Sequence, residues 1–227
     1  MVSAVLADAR DVYRRLWRRS VPVAGVVFAV VSLGQALSDR HPTSGTLLVS
    51  IVLSLIGGLL VQGALVEVVR DLHEGRPVGP ATSYFNRTRG RLGTLLGATF
   101  LFALGVGLGL IVLVVPGLIL MSRWALIVPL VMIEGRGARD AFRRSMELVS
   151  GNTGKVLVVV FVAAIIASGS SMAITYFFSF LPSFLAILIG GTVAGALTVP
   201  YQAYVLTVLY YRFTEPERPV LPARPGI

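Results

Sequence analysis

Cysteine is absent from this 227-residue chain, lysine occurs once, histidine twice, and charged residues make up only 14% of it. Without cysteine there is no disulfide framework, no thiol nucleophile and no thiolate metal site. His41 and His73 stand alone, so they form neither a metal pair nor a proton relay. No phosphate-binding glycine loop, no dinucleotide fingerprint and no Ser, His and Asp set is present. An enzyme reading therefore has no residues to stand on, and no cofactor or metal is expected. The scarcity of charge also excludes an ordinary soluble domain, in which about a quarter of residues are charged.

What is present is apolar. Hydrophobic residues make up 55% of the chain, gathered into runs at about 21–37, 46–66, 93–114, 118–133, 155–176 and 185–210. Each is read as crossing a bilayer core, for which roughly 20 apolar residues suffice. Six such spans consume about 120 residues, leaving short loops and no room for a second globular domain. The fold class is thus an all-α polytopic membrane protein, a single six-span domain over residues 1–211. Residues 212–227 are rich in proline, lack an apolar face and read as a disordered cytoplasmic tail. Gly34-Gln35-Ala36 resembles a signal-peptide cleavage site, but the preceding amphipathic segment is too long for an ordinary leader, so 21–37 reads as a span.

Between the spans lie basic amphipathic segments. In residues 2–19, Val5, Ala9, Val12, Leu16 and Trp17 recur at helical spacing opposite Arg10, Arg14, Arg15, Arg18 and Arg19, which predicts an interfacial helix. A short helix with Tyr84 and Phe85 follows the Gly75–Pro80 break, and residues 138–150 form a third, with Ala138, Ala141, Phe142, Met146 and Val149 on one side. Eighteen of the twenty Lys and Arg residues fall in segments on one side of a six-span topology; Arg40 lies in a loop opposite and Arg123 inside a span. That bias orients both termini toward the cytoplasm and the protein in the inner (plasma) membrane. Net charge +9 in this placement suits anionic lipid rather than nucleic acid.

Ala9-Arg10-Asp11-Val12-Tyr13-Arg14-Arg15 matches Ala138-Arg139-Asp140-Ala141-Phe142-Arg143-Arg144 at five of seven positions, and Glu74-Gly75-Arg76 echoes Glu134-Gly135-Arg136. Three parallel units are therefore expected, each an interfacial helix followed by a two-span hairpin. Pro116-Gly117 reads as the tight turn between the third and fourth spans, and Glu134-Gly135 as a break after the fourth. Gly93/Gly97, Gly105/Gly109 and Gly191/Gly195 supply faces on which helices approach closely. Pro129 and Pro200 lie inside the fourth and sixth spans and are expected to bend them.

The stretch from Val115 to Gly151 resembles the signature of a bacterial six-span membrane-domain superfamily that includes the membrane domain of glycerophosphodiester phosphodiesterases. The similarity is densest over residues 115–155 and weaker over the flanks. It implies the six-span fold and a membrane location. It does not imply the phosphodiesterase activity, which in those proteins resides in a separate soluble domain with its own histidines and carboxylates; these 227 residues contain no such domain.

Two readings of function follow. The first is a non-enzymatic membrane module whose arginines (Arg14, Arg15, Arg18, Arg19, Arg139, Arg143, Arg144) contact anionic lipid, with a membrane-protein partner or a second copy at its side. The second is a small permease or amphiphile transporter using Arg123 and the bent fourth and sixth spans. A charge inside a span is a functional candidate by default. Arg123 is only six residues past Gly117, however, so its side chain also reaches headgroups or a lipid phosphate. Glu67, Arg70, Asp71 and Glu74 share one helical face, and the arginine among them favours a solvated ion-paired surface over a metal site.

Overall fold

The computed structural model describes residues 1–220, and every regular element among them is helical. In chain order these are α1 (Val2–Arg40), α2 (Ser44–His73), α3 (Ala81–Arg89), α4 (Leu92–Val112), α5 (Val114–Arg123), α6 (Ile127–Ile133), α7 (Ala138–Val149), α8 (Thr153–Phe177), α9 (Ser183–Leu185) and α10 (Gly191–Thr214). Six helical stretches are long and apolar enough to cross a membrane. The fourth joins α5 to α6, and the sixth joins α9 to α10 through a π-helical turn at Ala186–Gly190.

The expected boundary between an interfacial helix and the first span does not exist. α1 continues unbroken through Pro22 for 39 residues, about 58 Å at 1.5 Å per residue, nearly twice a hydrocarbon core of about 30 Å. Its N-terminal half therefore projects beyond the bilayer. Val5, Ala9, Val12 and Leu16 are buried, and they pack in one cluster with Val66, Val69, Tyr204, Val208 and Leu209 of α2 and α10. The apolar stripe read as lying on lipid is covered by protein, because α2 and α10 overrun the same end and offer partners. The arginines of α1 are left facing outward, with Trp17 half exposed beside Arg18.

α4 and α5 form a hairpin tighter than expected. A single residue, Leu113 in extended conformation, separates them. Pro116 and Gly117 are thus not the turn: Pro116 occupies the first turn of α5, where a missing N–H costs nothing. Gly117 is buried where α4 and α5 touch, and a Cβ there would lie 2.5 Å from Leu110 Cγ. Gly191 and Gly195 serve the same purpose against Ser32 and Phe28 of α1, whereas Gly93 and Gly97 face open space.

The fourth span is broken rather than bent. In a continuous helix Pro129 could not donate to the carbonyl of Ala125, and its ring would press on that carbonyl. The helix stops at Arg123 and resumes at Ile127, with Pro129 in the new first turn. The break frees backbone groups that hydrocarbon cannot solvate. Ser145 of α7 satisfies two of them: its Oγ donates to the Arg123 carbonyl at 2.6 Å and accepts from Leu126 N–H at 3.3 Å. Arg91 closes the other end of α6 by donating to the carbonyls of Val131, at 2.7 Å, and Met132.

The Glu-Gly-Arg echo is realised as two like helix ends. Glu74 and Glu134 are the C-caps of α2 and α6, and Gly75 and Gly135 follow at φ +74° and +69°, a region that favours glycine. Gly151 after α7 also has positive φ, +80°, but it follows Ser150 at ψ 133° rather than a helical cap, and Gly90 stays right-handed. The three proposed units are also unequal, since α1 fuses into its span while α3 and α7 are separated from theirs.

Residues 212–220 are not a disordered tail. α10 runs to Thr214, Arg212 pairs with Asp8 of α1, and Val220 is buried in the core. His73 holds this strap: Nδ1 meets the Val220 carbonyl and Nε2 the Glu215 carboxylate, each at 3.1 Å, while its ring stacks on Tyr211. Arg218 donates back to the His73 carbonyl. The rest of the expected tail, residues 221–227, lies outside the described residues.

Two outcomes follow. Ser145→Ala leaves a buried carbonyl and amide without partners, so it should lower stability by about 1–3 kcal/mol, read from thermal unfolding in detergent. The hydrogen bond from His73 holds the Glu215 carboxyl below its ordinary value. A depressed carboxylate stabilises above its unfolded pKa and loses that contribution as pH falls through the folded one. A spin label on Glu217→Cys, the only thiol in the chain, should therefore be immobile at neutral pH and mobile on acidification. In Glu215→Gln it should be mobile at both.

Candidate functional site

The end of the bundle that carries the arginines is also where its packing is densest. In α8 the buried residues are Val156, Val159, Ala163 and Ala167, and none lies further along the helix. Beyond them Met172, Tyr176, Phe177 and Phe180 are all more than two-thirds exposed. The spans are held together at the basic end and part at the other.

At that basic end an apolar pocket of about 500 Å³ opens between α1, α2 and the segment leading into α3. Leu16 and Val23 of α1, Leu65 and Val68 of α2, and Val78 and Phe85 line it, and Arg19 forms part of its wall. Arg19 is exposed and has no hydrogen-bond or ion-pair partner among the described residues. The volume lies within the roughly 300–1,000 Å³ usual for small-molecule sites.

The far wall is held by a buried polar knot. Tyr84, 2% exposed, donates its hydroxyl to Asp71 Oδ2 at 2.9 Å and accepts from Gly79 N–H at 2.9 Å, pinning the Gly79–Ala81 segment over the cavity. Burial, reinforced by the Asp71 carboxylate, raises the Tyr84 phenol above its ordinary value, against the opposing Gly79 contact. Asp71 also takes Arg76 at 2.7 Å, and Glu67 takes Arg87 at 3.3 Å and Arg70 at 3.7 Å. The carboxylate face read as solvated is paired as expected, yet Glu67 and Asp71 are buried, because α3 lies across them with Arg87. Burial is affordable there only because each carboxylate meets charged donors.

The arginines named from the sequence separate into two groups. Arg14, Arg15, Arg18 and Arg19 line the outer face of α1. Arg139, Arg143 and Arg144 belong to α7, where Arg143 pairs with Asp140 and Arg144 with Glu147. α1 packs on α10 and α2, α7 packs chiefly on α6, α4 and α5, and neither packs substantially on the other. The buried face of α7 is Ala141, Ser145 and Val149, whereas Met146, assigned to that face, is exposed.

Arg123 closes α5, where its charge suits the carbonyl end of the helix. Its side chain is exposed, without an ion-pair partner among the described residues, and its carbonyl is tied to α7. It therefore stands beside the basic helix rather than toward the α4–α5 turn. It lines neither the α1–α2–α3 pocket nor the cavity at the break described below. Glu134 and Gly135 are structural: Glu134 accepts from Tyr210 at 3.0 Å and pairs with Arg136, which raises the Arg136 pKa.

The pocket itself was missed from sequence, as were the roles of Tyr84, Ser145 and His73. The one sequence signal was the Gly-Pro break, which returns the chain across α2. Tyr84→Phe removes a hydroxyl that bridges Asp71 and Gly79. It should cost about 1–3 kcal/mol and speed protease cleavage within residues 76–80, read by unfolding and peptide mapping.

No family model, no curated protein and no solved structure matches this chain.

Proposed function

We propose that this protein is a non-enzymatic module of the bacterial inner membrane that holds an anionic phospholipid at its cytoplasmic face. The observation that carries the reading is the apolar pocket with an unpaired guanidinium, Arg19, on its wall. Apolar walls suit an acyl chain, and a guanidinium suits a phosphate oxygen. The neighbouring arginines of α1 add attraction for an anionic leaflet, about 1 kcal/mol each near the surface.

The bias of the arginines to one side supports a cytoplasmic location of both termini. The similarity of residues 115–155 to the six-span superfamily accords with a bacterial membrane location. A transporter built around Arg123 has less support, because that side chain lines neither cavity.

The test is native mass spectrometry of the full chain in mild detergent, titrated with phosphatidylglycerol. Wild-type protein should retain the lipid. Arg19→Ala should weaken binding about fivefold, the equivalent of about 1 kcal/mol, and Ala81→Trp should fill the pocket and abolish retention. Equal retention by all three, or a stoichiometric protein partner in place of lipid, would overturn the reading.

A further inference from the structure

A second cavity lies inside the bundle at the break in the fourth span. It measures about 240 Å³ and is bounded by α2, α4, α8, α10 and the residues on both sides of the break. Its walls are apolar, among them Leu59, Phe102 and Val160, except for Gln62, Thr99 and the indole of Trp124. Trp124 Nε1 is buried and has no hydrogen-bond partner among the described residues. The side chains of Gln62 and Thr99 have none either.

These polar groups are held in place. The six-membered ring of Trp124 fills the notch at Gly105, where a Cβ would lie 2.5 Å from Cη2. Phe142 of α7 meets the indole edge-on with ring centroids 4.8 Å apart, and Phe102 flanks it at 6.4 Å. Nε1 lies on the five-membered ring, away from the edge seated on Gly105, and the helix break itself is fixed by Ser145. Of these three groups Trp124 Nε1 is buried, and leaving it without a partner is costly, so the break forms a prepared site rather than a packing fault.

Route and chemistry narrow the occupant. A smaller cavity of about 140 Å³ shares Val160 and Leu206 with this one and is lined by Gln202. Gln202 also lines an open groove between α8 and α10 that carries Ser168, Ser171, Thr175 and Thr198. Polar side chains therefore lead from the lipid-facing surface inward as far as Gln202, and apolar Val160 and Leu206 join that cavity to the one at Trp124. No acidic or basic side chain lines this cavity or either neighbour, so a charged headgroup would be desolvated without a counter-charge. Trp124 Nε1 only donates, whereas glutamine and threonine both donate and accept.

We infer that this cavity is a binding site for the neutral ester or hydroxyl headgroup of an uncharged amphiphile, entering sideways from the bilayer between α8 and α10. The acylglycerols are the matching class: an ester carbonyl accepts from Trp124 Nε1, and hydroxyls pair with Gln62 and Thr99. This site differs in place and charge preference from the pocket at Arg19.

Tryptophan fluorescence tests it, because the chain has two tryptophans and Trp17→Phe leaves Trp124 alone. In nanodiscs of phosphatidylcholine, a monoacylglycerol dibrominated in its acyl chain should quench Trp124 with saturation at low mole fraction. Dibrominated phosphatidylglycerol should quench it only in linear proportion to its mole fraction. Gln62→Leu, which keeps side-chain size, should raise the half-saturating mole fraction about tenfold; Thr99→Val serves if that variant does not fold. Linear quenching by the monoacylglycerol would mean bulk lipid contact around a merely hydrated cavity and would overturn the assignment. So would equal quenching by both probes, or saturation unchanged in the folded variants.

Discussion

In hydrocarbon every backbone amide and carbonyl must find its partner within the protein, and much of this structure is arranged around the break in the fourth span, where the helix does not supply it. The fourth span breaks just ahead of Pro129, and the Arg123 carbonyl and the Leu126 amide are satisfied from outside it. A single hydroxyl, Ser145 Oγ, meets both. That requirement docks α7 against the span, sets Phe142 on Trp124, and carries the arginines of α7 to the place where Arg123 emerges. Arg91 closes the far end of the same short helix and ties the start of α4 to it.

A second consequence is the uneven distribution of packing. Helices that overrun the membrane at the basic end have partners there, and the C-terminal strap closes over them through His73 and Val220. At the opposite end the spans meet through the close α4–α5 approach at Gly117 and through small polar contacts, such as Gln35 with Ser54 and Ser38 with the Thr46 carbonyl. In water such a bundle would be unstable. In lipid the exposed leucines, valines and phenylalanines are already solvated, so loose packing there costs little. The cavities follow from this geometry, one where α3 returns across α2 and one where the broken span leaves a gap.

Much of the architecture was legible because it depends on composition and local chemistry. The six apolar runs, the chain breaks at Gly75 and Gly135, and the pairing of the α2 carboxylates with arginine all follow from spacing. The misjudged features share one cause, that they depend on what a face meets. The apolar stripe of residues 2–16 has the same moment whether it meets lipid or α10. Residues 215–220 show no periodicity, and their placement comes from one histidine about 145 positions away. Pro116-Gly117 has the form of a turn, but its glycine serves helix contact instead.

The sequence by itself determined the all-α class, the number of candidate spans, their approximate limits and the clustering of positive charge. These are set by hydrophobic run length and by the arginines between the runs, quantities each segment carries alone. Only the tertiary structure decided that α1 is a single helix docked on protein, that the fourth span is broken and held by Ser145, and that Arg19 borders a pocket. It also decided that Trp124 is left without a partner. Each of these depends on which side chain arrives from a distant segment to fill, cap or leave open a given position, and no local pattern encodes that arrival.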